Sequence, residues 1–578
     1  MKNKGAKKQR PHGEKRTMEN RLPEECAGQS RTLAMAAIAA GFLAGFLILY
    51  FQPLNDIFEK HVRSEMATFI NWYPATFAFY NRLSGISLVA FSFAALIYVL
   101  YGKQAIDSFL ESHYRRVLLV LLGGIGIVAF FVCYNKFFHL DEIEHIHSAW
   151  YIKKGYIPYR DFFEHHNPLF WFSLLPVLYL GGDSVNTILL ARLFMGCVML
   201  GSVYCAYLIA AAVSKSKETG LLAAALLFST TLFIEKAIEI RPDGLQVLFG
   251  MISLYCLIRF IQSRDTTYIF YTGLSVALSF LFLQKAVFLV IAYAVIGAYG
   301  FFKREISVKS ALCFSGGLLL PLLLFWAYLH MTGSWRDYFL TNWQLNWHHL
   351  GARAITAKPF KAITAALSSN LLLVFAAIAV VYILLKQKIN REMKIIVFTA
   401  LVQVCSVAIY KTTFKHYYLF PIALCSVPGA YILTNMFAAG NLISTHRAAL
   451  VAVIMLWALP FLLIDSFNSN RFQLGKMKYV LTVTKDTDIV YDGANNFNLF
   501  RHDLHYFWFQ VGQLKKYNSL SGNRFGDYDC CSLIKAKRPK IVNEMHFDFN
   551  ACGLAALYDR TQYPGVYIRR EEPAKSSL

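Results

Sequence analysis

The chain has 578 residues, 56% of them hydrophobic and 16% charged, with a formal net charge of +22. Its apolar residues gather in runs of about twenty, the length that crosses the hydrocarbon core of a bilayer, which excludes a water-soluble enzyme. The positive charge is spread over an N-terminal tail and short loops beside these runs, so membrane lipids are the expected partner and no nucleic acid is.

Residues 1–32, opening "MKNKGAKKQRPHGEKR", are charged, poor in aromatics and aperiodic, and read as a disordered cytoplasmic tail. A first span at 33–51, "LAMAAIAAGFLAGFLILYF" within it, runs into "QPLNDIFEK" without a cleavage pattern and reads as a signal anchor. A second lies at 83–101. These two make an N-terminal addition, 33–116, to a core over 117–465. Core spans are expected at 117–134, 186–213, 219–234, 244–262, 268–284, 286–302, 311–330, 366–386, 394–410, 416–437 and 447–465. With the leading pair that gives an all-α polytopic architecture of about thirteen transmembrane helices.

Every second short loop is basic, including "KSKETG", "KREISVK" and "KQKINREMK", and these belong in the cytoplasm. The opposite set faces outward: 52–82, 135–185, 235–243, 331–365, 411–415 and everything after 465. Residues 466–578 change character, with "DTDIVYDG", "RPKIVNEM" and "YPGVYIRR" reading as strands around a more helical "LHYFWFQVGQLKKY". They are expected to form a small extracytoplasmic α/β domain able to fold separately. Seven of eleven cysteines fall in spans and none shows C-x-x-C spacing; Cys530, Cys531 and Cys552 in the outer tail leave a disulfide open.

The chemistry concentrates in the outer loops. "LDEIEHIHSAWYIKKG" has helical spacing with a stop at Gly155, which puts Asp141 and His145 on one face and Glu144 beside His147. "PYRDFFEHHNP" follows as a loop carrying Glu164, His165 and His166, and "LFWFSLLPVLYLGG" reads as a helix lying at the membrane interface. A carboxylate partly buried beside histidines and aromatics suits a general base; a solvated acidic helix is the plain alternative. The turn "EKAIEIRPDGLQ" supplies Glu235, Glu239, Arg241 and Asp243, an ordinary charged turn unless it meets a ligand. Lys285 stands alone in "FLFLQKAVFLV", where a lysine either snorkels to headgroups or meets an anion. Lys411, Lys415 and His416 in "YKTTFKHYYLF" add a second cationic cluster, while His348, His349 and Arg353 are weaker candidates in a loop of interfacial aromatics.

Acids, cations and aromatics thus share one side of the membrane. Because nucleotides stay in the cytoplasm, a group donor on the outer side must arrive on a lipid. A sugar on a polyprenyl phosphate fits: its phosphate leaves well once fixed cations meet the developing charge.

The ordered set of "DE" in the first large outer loop, G-x-x-PYRDFFEHHNPL, "RPDG", an isolated "QKA", HYY-x-x-P and a terminal outer domain resembles membrane glycosyltransferases of the GT-C fold. Its nearest likeness is the family of protein O-mannosyltransferases and aminoarabinose transferases, over roughly residues 117–465. The resemblance implies that Asp141 is the base of an inverting transfer, with Glu142 beside it as a catalytic partner. It further implies that Glu142, Arg241, Asp243, Lys285 and His416 line the cavity, with the cations holding the lipid phosphate; from the loops themselves Lys415 joins the phosphate side, and His145, Glu164, His165 and His166 join Asp243 as candidates to contact the sugar or acceptor. Two departures stand out: the leading pair of spans, and "EHHNPL" where relatives carry a Lys-Pro-Pro-type sequence.

The expected partners are a polyprenyl-phosphate sugar donor and an acceptor hydroxyl on a glycan, lipid or protein. No cofactor is required. His145, His147, Glu164, His165 and His166 are ligand types that leave room for a divalent metal, but their spacing matches no recognised zinc pattern, so no metal ligand is assigned. A ligase or polymerase using diphosphate-linked glycans, and a flippase of lipid-linked sugars, stay open as alternatives. The expected location is a bacterial inner membrane with the site on the periplasmic side.

Overall fold

A computed structural model describes residues 24–51, 112–347, 389–407, 409–410, 414–438, 469–509, 514–526 and 529–571, with scattered positions between them. The chain divides into compact units at residue 108, each described on its own. In the first, α1 (Glu24–Phe51) contains the span expected at 33–51 and begins earlier. The second span at 83–101 lies largely outside the described residues, as do those at 366–386 and 447–465 and most of the tail 1–32.

The second unit opens with α2 (Tyr114–Asn135), the outer-loop helices α3 (Leu140–Lys153) and α4 (Leu169–Gly181), and α5 (Asn186–Ser214). Two short helices, α6 (Lys217–Phe228) and α7 (Thr231–Ala237), meet at a bend of 70°. Next come α8 (Pro242–Ser263), α9 (Thr266–Phe282), a 3₁₀ turn (Gln284–Ala286), α10 (Val287–Phe302) and α11 (Val308–Met331). After α12 (Trp335–Phe339) and the described gap lie α13 (Arg391–Val407), a 3₁₀ turn (Lys415–Tyr418) and α14 (Leu419–Ala438). Among the described residues six helices are long and apolar enough to cross a membrane, or seven if α6 and α7 form one broken span. They correspond to seven of the expected core spans; α9 and α13, at 17 residues each, correspond to those at 268–284 and 394–410. In α9 and α11 a Cβ at Gly273 would strike the Phe314 carbonyl and one at Gly317 the Phe270 carbonyl, so these helices pack backbone to backbone only because both positions are glycine.

The two sets of loops separate as the charge pattern requires. Gln262 donates to the Ala212 carbonyl, Asn390 to the Val213 carbonyl, and Arg264 to the Glu305 carbonyl, gathering the basic loops at one end. At the other end the 135–185 loop meets the 239–243 turn, the Lys285 turn and the start of α15 (Arg471–Val483), where Asn470 donates to the Asn135 and Tyr134 carbonyls.

Beyond α15 the tail forms a five-stranded sheet ordered β2-β1-β3-β5-β4. Strands β1 (Ile489–Tyr491), β2 (His502–Asp503) and β3 (Ile541–Asn543) are parallel; β4 (Tyr558–Arg560) and β5 (Val566–Arg569) add an antiparallel edge. The helices α16 (Leu514–Ser521) and α17 (Cys530–Lys537) complete an α/β layer. Cys531 and Cys552 are disulfide-bonded and Cys530 is free.

Two expectations change. The stretch 504–517 is helical only from Leu514 among its described residues; Tyr506 and Trp508 instead meet the outer loop, Phe163 donating to the Tyr506 carbonyl and Trp508 to the Phe163 carbonyl. Burial of these aromatics overrides local helix propensity. The sheet also does not stand apart: Val490, Ile541 and Val566 share one hydrophobic core with Phe163, Trp171 and Phe507, so the outer domain and the 135–185 loop support each other.

Candidate functional site

The site begins at the N-terminus of α3. His139 caps it, its ring accepting from the Asp141 amide, while the Glu142 side chain accepts from the His139 amide at 2.8 Å. This capping box satisfies two N–H groups that the first turn leaves open. Glu142 is wholly buried: Arg192 donates to both of its carboxylate oxygens at 2.8 and 2.6 Å, and the Ile240 amide donates at 3.2 Å. Burial alone would raise the Glu142 pKa, but the Arg192 guanidinium more than offsets it and holds the carboxyl below the usual range. Glu142 thus fixes the helix to α5 and to the 239–243 turn and presents no free oxygen toward a substrate.

Asp141, one residue earlier, is 30% exposed at its side chain and pairs with Arg241. Arg241 also reaches Asp243 at 3.4 Å and His416 Nε2 at 3.0 Å, so it bridges the acidic helix and the α14 turn. A guanidinium only donates, which makes His416 Nε2 the acceptor. Lys285 lies 3.2 Å from Asp243 and 3.5 Å over the Tyr417 ring. Asp243, Lys285, His416 and Tyr417 line a recess together with Gln403, Ser406, Tyr410 and Phe420. Asp243, expected on the acceptor side, is thereby placed among the cations.

Lys415 turns elsewhere. It is 69% exposed and lies 3.8 Å from Glu235, at the rim of a network in which Lys136 and Lys236 hold Glu239 at 3.2 and 2.6 Å. This lattice braces the turn that carries Arg241.

His145, Glu164, His165 and His166 form a second cluster, with His145 and Glu164 buried and the other two partly buried, and none of them is among the described residues lining the recess. The helical spacing that pairs Asp141 with His145 does not bring them to one ligand: the His145 ring lies inward, its Nδ1 accepting from Trp171 at 3.1 Å. Burial, with His166 beside it, keeps the His145 pKa well below the ordinary imidazole value. Glu164 accepts from the Ser148 hydroxyl, and the Tyr159 hydroxyl and Gln284 amide donate to the carbonyls of His166 and His165 at 2.6 and 3.2 Å. His147 leaves the group and bonds Asp503 at 2.5 Å and the Leu499 carbonyl at 3.1 Å, a link to the outer domain.

Sequence reasoning missed Arg192, Tyr417 and Asn495, and noted Glu144 only as a neighbour of His147. Arg192 carried a signal, an arginine inside an apolar run, the same one that singles out Lys285. Asn495 carried none, because its contact with Glu144 spans 351 residues. Lys411, His348, His349 and Arg353 lie outside the described residues.

Residues 165–330 match the family model described as dolichyl-phosphate-mannose-protein mannosyltransferase. Among curated protein sequences none matches the chain. In structure it is similar to ArnT from Cupriavidus metallidurans bound to undecaprenyl phosphate, with TM-score 0.55 at 13% identity over 78% of this chain and 97% of that one. The apo form of the same protein gives 0.54 at 12% identity over 76% and 94%. The Archaeoglobus fulgidus oligosaccharyltransferase in complex with Zn and sulfate gives 0.50 at 13% identity over 73% and 67%. The chain therefore has the GT-C fold, mostly helical with a small C-terminal sheet.

Proposed function

We propose that this GT-C-fold chain transfers a sugar, with inversion, from a polyprenyl phosphate to an acceptor hydroxyl on the extracytoplasmic face of the membrane. The observation that carries this reading is Arg241, paired on one side with the half-buried Asp141 and reaching Asp243 and His416 on the other. Asp141 is thus linked through Arg241 and Asp243 to Lys285, which brings a candidate base and two cations together as a displacement between acceptor and phosphate requires.

In the proposed reaction the donor phosphate enters beside Lys285, Arg241 and His416, with its isoprenoid chain along the recess. The phosphate competes with Asp141 and Asp243 for the cations, and Asp141 is thereby released to face the acceptor. Asp141 takes the acceptor's proton as the acceptor oxygen bonds to the anomeric carbon. The bond from that carbon to the phosphate oxygen breaks, its electron pair leaving on the phosphate, where the fixed cations stabilise the charge. Glu142 positions Asp141 by anchoring its helix to Arg192.

The donor, the acceptor class (glycan, lipid or protein) and a bacterial inner-membrane setting belong to this proposal, supported by the likeness to proteins named for undecaprenyl phosphate and dolichyl-phosphate-mannose. The test is transfer of labelled sugar from synthetic polyprenyl-phosphate donors into extracted membranes. Transfer by wild type and its loss in Asp141→Asn supports the reading; full activity of Asp141→Asn overturns it.

A further inference from the structure

Glu144, on α3, is buried to 3% exposure. One of its carboxylate oxygens accepts from Asn495 of the outer domain at 3.2 Å, and the other is buried with no hydrogen-bond partner. A buried carboxylate oxygen without a donor is costly, because it loses its hydration and gains nothing in return. Facing it at 3.7 Å is Nδ1 of His166, also without a hydrogen bond, and that nitrogen stands 3.7 Å from Glu164 as well. These separations are too long for hydrogen bonds. His165 completes the group: its ring lies 4.1 Å from that of His166, and one ligand atom from each of the four residues falls within 4.8 Å of the others.

Two carboxylates held together in a buried place require a compensating positive charge. Either a proton or a cation can supply that charge. The donor set favours the cation. Zinc bonds of about 2.0–2.2 Å to nitrogen and oxygen place tetrahedral neighbours roughly 3.4 Å apart, so ligand atoms within 4.8 Å of one another need close in by at most about 1.4 Å. Outer partners are already present: Ser148 donates to Glu164, Asn495 to Glu144, and the carbonyls of His165 and His166 are held by Gln284 and Tyr159.

We propose that Glu144, Glu164, His165 and His166 bind one divalent transition-metal ion, best matched by Zn²⁺, which clamps α3 to the 156–168 loop where the outer domain docks. Two imidazoles with two carboxylates suit zinc, and cobalt in its place, better than the oxygen-only shells of calcium or magnesium. The four residues come from both partners of that junction, α3 and the loop, so the ion would add a polar link to segments that the chain otherwise joins through a shared hydrophobic core and the Ser148 to Glu164 hydrogen bond. The proposal stands apart from the transfer reaction and does not depend on it.

The test uses the full chain purified in detergent, loaded with Co²⁺ or Zn²⁺ and desalted, with metal content read by mass spectrometry and the Co²⁺ form by its visible absorption. Wild type is expected to retain about one ion per chain and to show tetrahedral Co²⁺ bands, with Glu144→Gln and His166→Gln retaining roughly a tenth or less. Wild type that retains less than about a tenth of an ion, or variants that retain as much as wild type, overturns the proposal, the first result identifying a shared proton instead. Because a substitution at the junction can unfold it, a second readout uses wild type alone. Added Zn²⁺ is expected to raise the melting temperature and to saturate at about one equivalent, and no shift counts against the site.

Discussion

Arg241 lies against Asp141, and the contact neutralises the proposed base in the absence of a donor. The same guanidinium reaches Asp243 and His416, so a phosphate arriving among them competes with Asp141 for one cation. Arg241→Gln should therefore weaken binding of polyprenyl phosphate by about 10- to 100-fold, the loss expected for charge-assisted hydrogen bonds of about 1.5–3 kcal/mol. Arg241→Lys should restore part of the affinity as a point charge without the fork. Quenching of tryptophan fluorescence by titrated lipid phosphate would read both; unchanged affinity in Arg241→Gln would separate the arginine from the donor.

Glu142 and Arg192 make the opposite kind of pair, sealed and structural. Glu142→Gln leaves a buried guanidinium without its counter-charge and should cost roughly 3–5 kcal/mol of stability, seen as a lower melting temperature. Replacing both residues with methionine should recover most of that loss, since two apolar side chains of similar volume remove the unpaired charge. A double variant as unstable as the single one would show that the pair also supplies something packing cannot.

The acid behaviour of the α3 to α5 connection follows from Asp183. Its burial opposes ionisation, but Lys153 at 2.9 Å and Trp150 at 3.1 Å more than offset that and hold its pKa below the usual carboxylate range. Since the folded value is the lower one, the stabilisation is present above the unfolded pKa of about 3.9 and is lost as pH falls through the folded value. Wild type should thus lose melting temperature below about pH 4 more steeply than Asp183→Asn, whose curve starts lower and is flatter there. Parallel curves would remove Asp183 from the account.

Much of the fold was legible because a bilayer imposes length and composition on each span, and the basic loops label one side. The helix stop at Gly155 was legible too: that residue has φ 92°, which favours glycine. The candidate site was legible in its parts and not in its grouping. Asp141, Arg241, Lys285 and His416 stand out as polar residues in apolar or aromatic surroundings, and the structure brings them together. Glu142 and Glu164 look the same in sequence, yet they lie inside the protein, because their partners Arg192 and Ser148 cannot be read from spacing. The tail misled for a related reason: residues 504–509 follow the aromatic surface of the 156–172 loop, which is more than 330 residues away in the chain.

The central claim is that Asp141 performs the proton transfer while the cations hold the donor, and these two roles separate in one experiment. Wild type, Asp141→Asn and Lys285→Ala would be compared for polyprenyl-phosphate binding and for single-turnover transfer of labelled sugar. The account predicts that Asp141→Asn binds the lipid phosphate at least as tightly as wild type, because Arg241 is freed, and loses transfer by about 10²–10⁴-fold. Lys285→Ala should lose both binding and transfer. Transfer by Asp141→Asn at the wild-type rate, or loss of lipid binding in that variant alone, would contradict it.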